Sequence, residues 1–353
     1  MERFDYRKGL RSLEGLTDDQ ALASLDRPTI FHVEGEDPHG PILISTLIHG
    51  CEPAGFRALL REAREWGYTP SYTADVYFMV GSVQAAKTPG PKGEYFFHRD
   101  LPGAPSPGAH DFNRMWGNKE PQSDLEKTAA EIKEFLDTIP FNAFLDIHSY
   151  MSRVIEPHAC IPHLCEETID YTRTLASRAF LIDFGLGTLL EHMGKRQIPS
   201  VLIEAGVNNS PQADDYASKA MHRFFQRTDV IPGGDHPEIC KHWYRDGIQF
   251  KIKPNVSVAI AENRESGKDL TLRKDIEMLN HTLLPQGTSF GWGDSLGCIT
   301  TNDSKGRKVE EYFFVEDGEI KIRKALVPNF LNAHEERMKG GGFYFFEEFN
   351  PDV

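Results

Sequence analysis

Cysteine is scarce in this 353-residue sequence, which contains five, odd in number and scattered along the chain. Such spacing is poor support for a disulfide framework and is typical of a reduced, intracellular protein. No apolar run reaches membrane-spanning length, and residues 1–13 alternate charged with apolar side chains instead of forming a signal-peptide core. We therefore expect a cytoplasmic protein that has no membrane as its partner.

Basic side chains are outnumbered, since 39 Lys and Arg stand against 53 Asp and Glu, for a formal charge of -14. This excess of negative charge disfavours nucleic acid as a partner, because phosphate is repelled. A local basic pocket for a small anionic molecule is compatible with the balance. The composition leaves the oligomeric state open, and a homo-oligomer is compatible with it.

The hydrophobic pattern predicts an α/β fold in two parts. From about residue 29 to 230, short β-branched runs alternate with segments of helical spacing, which is typical of a sheet with helices on its faces. After about residue 231, strand-like pieces such as 256–261 and 312–315 are separated by Gly and Asp turns. We predict a catalytic domain over residues 1–230 and a smaller β-rich domain over residues 231–353.

Four segments of the first part have the composition of buried strands: 41–48, 74–80, 141–147 and 200–203. Pro53 opens a helix directly after the first of them, and Ser123 with Glu126 forms the capping box of another helix. In open α/β sheets, ligands bind at the carboxyl ends of the strands. Polar residues at those ends are therefore the first candidates for a functional site.

Three such residues have the chemistry of metal ligands. His49 and Glu52 form an HxxE pair at the turn between the first strand and the following helix, and His148 follows the third strand. Each alone has an ordinary structural explanation. Two His and one Glu are, however, a known ligand set of catalytic zinc, which keeps its fourth position open. We predict one zinc ion per chain at these residues, although the same ligands accept cobalt or manganese.

Two acidic residues are predicted to serve this site. Glu204 ends an otherwise apolar strand, where a carboxylate is costly unless it is paired or used, and hydrolysis at zinc needs a general base. Asp146 lies two residues before His148 on the same strand face, so it is placed to accept a hydrogen bond from the imidazole.

A Gly- and Pro-rich loop occupies the region between Lys87 and Gly117 and ends in the motif DFNRMW. Asn113 and Arg114 in this motif combine an amide with a planar guanidinium, which suits the capture of a substrate carboxylate. A structural salt bridge of Arg114 explains the spacing equally well.

A second group of metal-binding residue types lies within eight positions: His158, Cys160, His163 and Cys165. The segment has no CxxC pair and no second half-site. Pro157 and Pro162 predict an irregular loop. We therefore favour structural roles for these side chains.

Six residues in order make the sequence resemble the succinylglutamate desuccinylase/aspartoacylase family of the zinc carboxypeptidase superfamily: His49, Glu52, Asn113, Arg114, His148 and Glu204. The resemblance covers roughly residues 29–230. It implies a zinc-carboxypeptidase-like mixed sheet flanked by helices, with a smaller β-rich C-terminal domain. It also implies hydrolysis of the amide bond of a small anionic N-acyl amino acid.

The resemblance further implies roles for single residues. The three ligands would bind zinc, Glu204 would be the catalytic base, and Asn113 with Arg114 would bind the substrate. The nearest candidate for the family's carbonyl-polarising arginine is Arg99, in FFHRD. A further anion-binding arginine is expected before the catalytic Glu, and Arg196 is the arginine close upstream.

Three alternatives accompany this prediction. A metallocarboxypeptidase acting on short peptides would use the same ligands and base, and a non-catalytic zinc- or ligand-binding protein would keep the fold without turnover. A cysteine hydrolase built on Cys51 beside His49 is disfavoured, because it leaves the other site residues without a shared task.

Overall fold

The computed structural model describes residues 3–65, 67–68, 70–103, 109–117, 120–150, 156–233, 236–303, 305–340 and 342–352. The chain divides into two compact units. The first comprises Met1–Tyr150, Pro157–Ala179 and Gly185–Lys241, and the second includes Phe180–Phe184 and His242–Val353. A compact unit need not fold on its own, so the domains assigned to residues 1–230 and 231–353 stay a prediction.

The first unit is built from alternating strands and helices. Its strands are β1 (Asp5–Lys8), β2 (Thr29–Val33), β3 (Asp37–Thr46), β4 (Ala74–Val80), β5 (Ala143–Tyr150), β6 (His158–Ile161), β7 (Arg178–Leu181) and β8 (Ser200–Val207). Of β7, only the first two residues belong to this unit. Its helices are α1 (Asp18–Ala23), α2 (Ala54–Glu65), α3 (Val83–Lys87), α4 (Asp124–Asp137), α5 (Glu166–Leu175), α6 (Leu189–Lys195) and α7 (Pro211–Arg227).

The sheet of this unit has the strand order β1-β2-β4-β3-β5-β8-β6. Strands β4, β3, β5 and β8 run parallel, while β2 pairs antiparallel with β4 and β6 with β8. The parallel strands are almost wholly buried, as expected where helices cover both faces. The predicted mixed α/β sheet flanked by helices is therefore confirmed.

Helix α2 lies unusually close to β5. A Cβ atom added at Gly55 would stand 2.9 Å from Cβ of Ile147, so a larger residue there would push the helix away from the strand. The absence of a side chain at this point brings the start of α2 next to the end of β5.

The predicted capping box of Ser123 and Glu126 is also confirmed, at the start of α4.

The segment between Pro157 and Pro162 is not the irregular loop that its prolines predict. Residues His158–Ile161 form β6, which pairs antiparallel with β8. A proline at each end delimits the strand without interrupting its ladder, and the side chains between them are buried. The loop prediction was therefore wrong for these four residues.

The second unit is rich in β-strands, as predicted. They are β9 (His242–Ile252), β10 (Val258–Ala261), β11 (Leu270–Arg273), β12 (Ser289–Trp292), β13 (Ile299–Asn302), β14 (Phe313–Glu316), β15 (Glu319–Ile322), β16 (Val327–Asn329) and β17 (Phe343–Phe349), with one α-helix, α8 (Glu335–Gly340), in its described part. One sheet has the order β10-β11-β12-β15-β14, and β9 pairs with β13 and β17. Five buried rings pack together in its core: Phe250, Phe290, Phe313, Phe343 and Phe345.

None of the helices in the described part of the chain joins enough length to enough apolar character to cross a membrane.

Candidate metal centre

The predicted site residues of the first unit meet at the carboxyl ends of β3, β5 and β8. His49 follows β3 by three residues. His148 lies in β5 directly opposite Glu204 in β8, and both side chains are buried. Because opposed residues on neighbouring strands share one face of the sheet, these two side chains are adjacent.

The turn that carries His49 and Glu52 depends on a glycine between them. A Cβ atom at Gly50 would lie 2.6 Å from the backbone nitrogen of Ala86 and 2.6 Å from the carbonyl oxygen of His98. The amide of Gly50 also donates to the carbonyl oxygen of Arg99 at 2.8 Å. The close approach of neighbouring backbone therefore fixes the conformation that turns both side chains to one side.

His49, Glu52 and His148 form a compact group, here called the ligand cluster. One potential ligand atom from each lies within 4.8 Å of the others. Nδ1 of His49 stands 2.9 Å from Oε1 of Glu52, and Nδ1 of His148 stands 2.8 Å from Oε2. All three side chains are at most 5% exposed. Both imidazoles thus turn the same ring nitrogen toward one carboxylate.

Each imidazole has a second carboxylate behind it. Nε2 of His148 lies 3.1 Å from Oδ2 of Asp146, which confirms the contact predicted for that residue. Nε2 of His49 lies 3.2 Å from Oδ1 of Asp111. Metal-binding histidines commonly donate their other ring nitrogen to a carboxylate in this way, which fixes the tautomer and the ring orientation.

Asp111 is the residue that the sequence prediction missed. It precedes the 3-10 turn Phe112–Arg114, and its side chain accepts from the amide of Asn113 at 2.9 Å. An Asp two positions before Asn113 was visible in DFNRMW, but nothing local in the sequence pairs it with His49, 62 residues away.

The ligand cluster fits a metal ion. Nδ1 of His49 is buried and lies 2.9 Å from Oε1 of Glu52, but it has no hydrogen-bond partner within the described part of the chain. A buried ring nitrogen without a proton partner is costly unless it binds something else. Two His and one Glu are a donor set used by catalytic zinc.

The charged groups of the cluster shift the pKa values of one another. Burial would raise the pKa of the Glu52 carboxyl, but His49 and His148 hold that pKa below its ordinary value. Burial would likewise lower the pKa of His148, yet Asp146 and Glu52 raise it. The carboxylates of Glu52 and Asp146 thus favour positive charge at this place, and the same carboxylates would favour a bound cation.

Glu204 is a further buried carboxylate, next to the ligand cluster but not part of it. Its side chain is buried, and Oε2 has no hydrogen-bond partner among the described residues. Burial raises the pKa of Glu204 to about 7, and nearby His148 opposes that rise. A carboxylate with a pKa near neutrality is suited to take and return a proton.

Arg99 extends into the cluster from the loop before Asp111. Its Nη1 atom lies 2.9 Å from Oε1 of Glu52, and Nη2 lies 2.5 Å from Nε2 of His49. Nη2 also lies 3.5 Å from Oδ2 of Asp111. The loop residues 104–108, between Arg99 and Asp111, lie outside the described residues.

Asn113 and Arg114 lie beside the cluster, two and three residues after Asp111. Oδ1 of Asn113 accepts from the amide of Leu189 at 3.2 Å, while its Nδ2 atom has no partner among the described side chains. Arg114 is exposed, and its Nη1 atom donates to the carbonyl oxygen of Asn113 at 3.0 Å. Both retain hydrogen-bond donors for a ligand.

Arg196 is not brought to the cluster. Its guanidinium donates to the carbonyl oxygens of Leu136 at 3.0 Å and Ile139 at 2.8 Å, and lies 3.4 Å from Asp137. These groups precede β5, whereas His148 lies near its carboxyl end. The structure thus places this arginine at the end of α4, before β5 begins, and its predicted substrate-binding role stays a prediction.

The other metal and nucleophile candidates do not assemble. Among the residues that the structure describes, the ligand cluster is the one group of three His, Cys, Asp or Glu close enough to hold an ion. Both ring nitrogens of His49 face Glu52, Asp111 and Arg99. The imidazole is consequently not directed at the thiol of Cys51, whose Sγ atom accepts from Asn208 at 3.4 Å.

No protein-family model and no curated protein matches the sequence. The structure resembles a succinylglutamate desuccinylase/aspartoacylase from Rhodobacter sphaeroides, with 13% identity, a TM-score of 0.60, and coverage of 91% of this chain and 89% of that one. A succinylglutamate desuccinylase from Vibrio parahaemolyticus is similar at 15% identity and a TM-score of 0.59, covering 90% and 86%.

A product-bound ectoine utilization protein, EutE (DoeB) from Ruegeria pomeroyi, is similar at 14% identity and a TM-score of 0.51, covering 84% and 81%. At such identities the likeness shows a shared fold. The resemblance predicted from the sequence is confirmed at that level, and so is the fold class.

Proposed function

We propose that this protein belongs to the succinylglutamate desuccinylase/aspartoacylase family and is a zinc-dependent hydrolase that cleaves the amide bond of an N-acyl amino acid. One observation carries the proposal: the buried ligand cluster stands beside Glu204, a buried carboxylate with no hydrogen-bond partner for Oε2 among the described residues. The fold shared with desuccinylase/aspartoacylase structures supports the same reaction class.

The cluster would hold the metal through Nδ1 of His49, the carboxylate of Glu52 and Nδ1 of His148. When bound, zinc supplies a Lewis acid for the amide carbonyl and brings the pKa of a water molecule toward neutrality. Asp146 and Asp111 fix the ligand imidazoles from behind. With both ring orientations set in advance, the ligand atoms need little rearrangement to bind.

Glu204 is the general base in this proposal. Its carboxylate takes a proton from the attacking water and returns it to the nitrogen of the leaving amine. Its position opposite His148 on a neighbouring strand keeps it next to the cluster. The free Oε2 atom supports this role, because a carboxylate already bound to protein donors would be a weaker base.

The substrate proposed is small and anionic. Asn113 and Arg114 bind its carboxylate, the first through the amide nitrogen and the second through a planar, two-pronged guanidinium. Arg99 is proposed to polarise the scissile carbonyl. The partial exposure of Arg99 and the exposure of Arg114 support contact with a molecule that enters from solvent.

Metal content, together with hydrolysis of a panel of N-acyl amino acids and short peptides, tests the proposal. We expect one equivalent of zinc per chain and acylase turnover that a chelator abolishes and added zinc restores. Glu52→Gln, which removes one ligand without changing its size, should lose both zinc and turnover. A metal-free protein whose turnover resists chelators would contradict the proposal.

The same panel separates the alternatives. Cleavage of peptides without cleavage of N-acyl amino acids would favour a metallocarboxypeptidase. Bound zinc without turnover on any compound would favour a binding protein of the same fold.

A further inference from the structure

One buried carboxylate holds three successive backbone amides of the loop before α6. Oε1 of Glu191 accepts from the amide of Leu186 at 3.0 Å. Oε2 accepts from the amides of Gly187 at 2.7 Å and Thr188 at 3.3 Å. Glu191 and Thr188 form the capping box of α6. Because a capping box needs only the amide of Thr188, the other two contacts fix the loop that precedes the helix.

This loop is attached to the segment that carries Asn113. The carbonyl oxygen of Gly187 accepts from the amide of Trp116 at 3.0 Å, and a Cβ atom at Gly187 would lie 3.2 Å from the carbonyl oxygen of Arg114. Two residues further on, the amide of Leu189 donates to Oδ1 of Asn113 at 3.2 Å. The position of the loop therefore determines where the amide of Leu189 meets Asn113.

The contact with Leu189 sets the orientation of the Asn113 side-chain amide. A backbone N–H can only donate, so the atom of Asn113 that faces it is the oxygen. Nδ2, which carries two N–H donors, is then on the other side of the amide group. Asn113 is buried, so a reversed amide would leave two donors facing each other and cost a hydrogen bond. Leu189 thus keeps the Nδ2 donors available for a carboxylate.

We propose that Glu191 is a positioning residue for substrate binding: it holds the loop in the place from which the amide of Leu189 orients Asn113. This role rests on the proposed function, in which Asn113 binds the substrate carboxylate. Glu191 does not bind the substrate itself, because it is buried and its two oxygens already accept three amides. Within the described part of the chain, no hydrogen bond joins Glu191 to the ligand cluster or to Glu204. The chemical step should therefore not depend on it.

Steady-state kinetics of Glu191→Gln test this role. Glutamine has one side-chain oxygen in place of two, so it cannot accept at both of the positions that Oε1 and Oε2 occupy. For the N-acyl amino acid that the wild type cleaves best, KM should rise about tenfold, as expected when a hydrogen bond to a charged group is lost. The kcat should change less than about twofold, since substrate binding alone is weakened. Zinc content should be unchanged.

Glu126→Gln is the matched control. Glu126 belongs to the capping box of α4 and accepts from the amides of Ser123 at 2.7 Å and Gln122 at 2.8 Å. Both substitutions weaken the start of a helix, so both should lower the free energy of unfolding. Only Glu191→Gln should raise KM. An equal rise in both variants would mean that Glu191 acts through general stability, which overturns the positioning role.

Asn113→Ala shows whether Glu191 acts through Asn113. This variant should raise KM at least as much as Glu191→Gln, because it removes the proposed carboxylate donors. Glu191→Gln should have no further effect on KM in the Asn113→Ala background, since the group that it positions is gone. Additive losses in the double variant would mean that Glu191 affects binding by another route, which overturns the positioning role.

Leu189→Pro removes the orienting N–H directly and keeps the role testable if Glu191→Gln folds poorly. Proline is favoured at the first position of a helix, and Thr188 has the extended backbone (ψ 160°) that a following proline requires. Leu189→Ala is the control, because it shortens the same buried side chain but keeps the amide. KM should be about tenfold higher in Leu189→Pro than in Leu189→Ala.

The wild type distinguishes the two ways in which these experiments can fail. A wild type that cleaves no N-acyl amino acid contradicts the proposed function, and the positioning role falls with it. If the wild type does cleave one, an unchanged KM in Glu191→Gln overturns the positioning role alone. Equal KM values in Leu189→Pro and Leu189→Ala do the same.

Discussion

Nε2 of His49 lies 3.2 Å from Oδ1 of Asp111, so the ring is held from the side opposite its proposed ligand atom. Removal of the negative charge should weaken that support and lower the basicity of Nδ1. Asp111→Asn is therefore expected to reduce zinc affinity about 10–100-fold, as seen when such supporting carboxylates are lost. Chelator competition measures the change.

The matched control for Asp111→Asn is a partly buried carboxylate–imidazole pair of the same unit. Oδ2 of Asp75 lies 2.8 Å from Nε2 of His32, at the β2–β4 side of the sheet. Asp75→Asn should cost stability but leave zinc affinity unchanged. An equal loss of affinity in both variants would mean that Asp111 acts only through the fold.

Glu204→Gln keeps the shape of the side chain but removes its basicity. Turnover should fall by about 10²–10⁴-fold, the usual contribution of a positioned base, while zinc content is unchanged. Glu62→Gln, at another buried carboxylate of the same unit, should retain turnover. Wild-type turnover in Glu204→Gln would remove this residue from the mechanism.

Gly50→Ala should disturb the turn that carries His49 and Glu52. The added Cβ atom would meet backbone atoms at 2.6 Å, which side-chain movement cannot relieve. We expect a loss of about 1–3 kcal/mol in the free energy of unfolding, together with weaker zinc binding. Gly340→Ala, where no atom lies within 4 Å, is the control for chemical denaturation and zinc titration. A Gly50→Ala protein with wild-type zinc affinity would show that the turn tolerates the shift.

Arg196→Met tests the position found for this arginine. The variant loses the hydrogen bonds to Leu136 and Ile139, so the free energy of unfolding should fall by about 1–3 kcal/mol. The KM and kcat of the folded protein should not change. A higher KM with unchanged stability would instead support the substrate-binding role that the sequence suggested.

Strand positions were predictable where apolar residues dominate. The segment predicted at 74–80 coincides with β4 (Ala74–Val80), because all of its residues except Asp75 are apolar and buried. The segments ending at Ile147 and Ile203 were too short, since β5 continues to Tyr150 and β8 to Val207. The apolar pattern stops where the polar site residues begin, but the backbone ladder does not.

The contacts of the site were less predictable than its members. Asp146 could be paired with His148 because both are on one strand, two positions apart. Asp111 and Arg99 meet His49 only through a long loop whose path the sequence does not encode locally. Arg196 illustrates the converse: it is close to Glu204 in sequence, but it precedes β8, and the extended strand carries Glu204 away from it.

His148 and Glu204 are opposed residues on adjacent parallel strands, so their backbone separation is the spacing between strands, about 4.8 Å. Insertions or deletions in the surrounding loops cannot change that distance without breaking the hydrogen bonds between β5 and β8. If the proposed function is correct, new substrates can be accommodated by changes in the loop before Asp111 alone, while the distance between the proposed ligand His148 and the proposed base Glu204 stays the same.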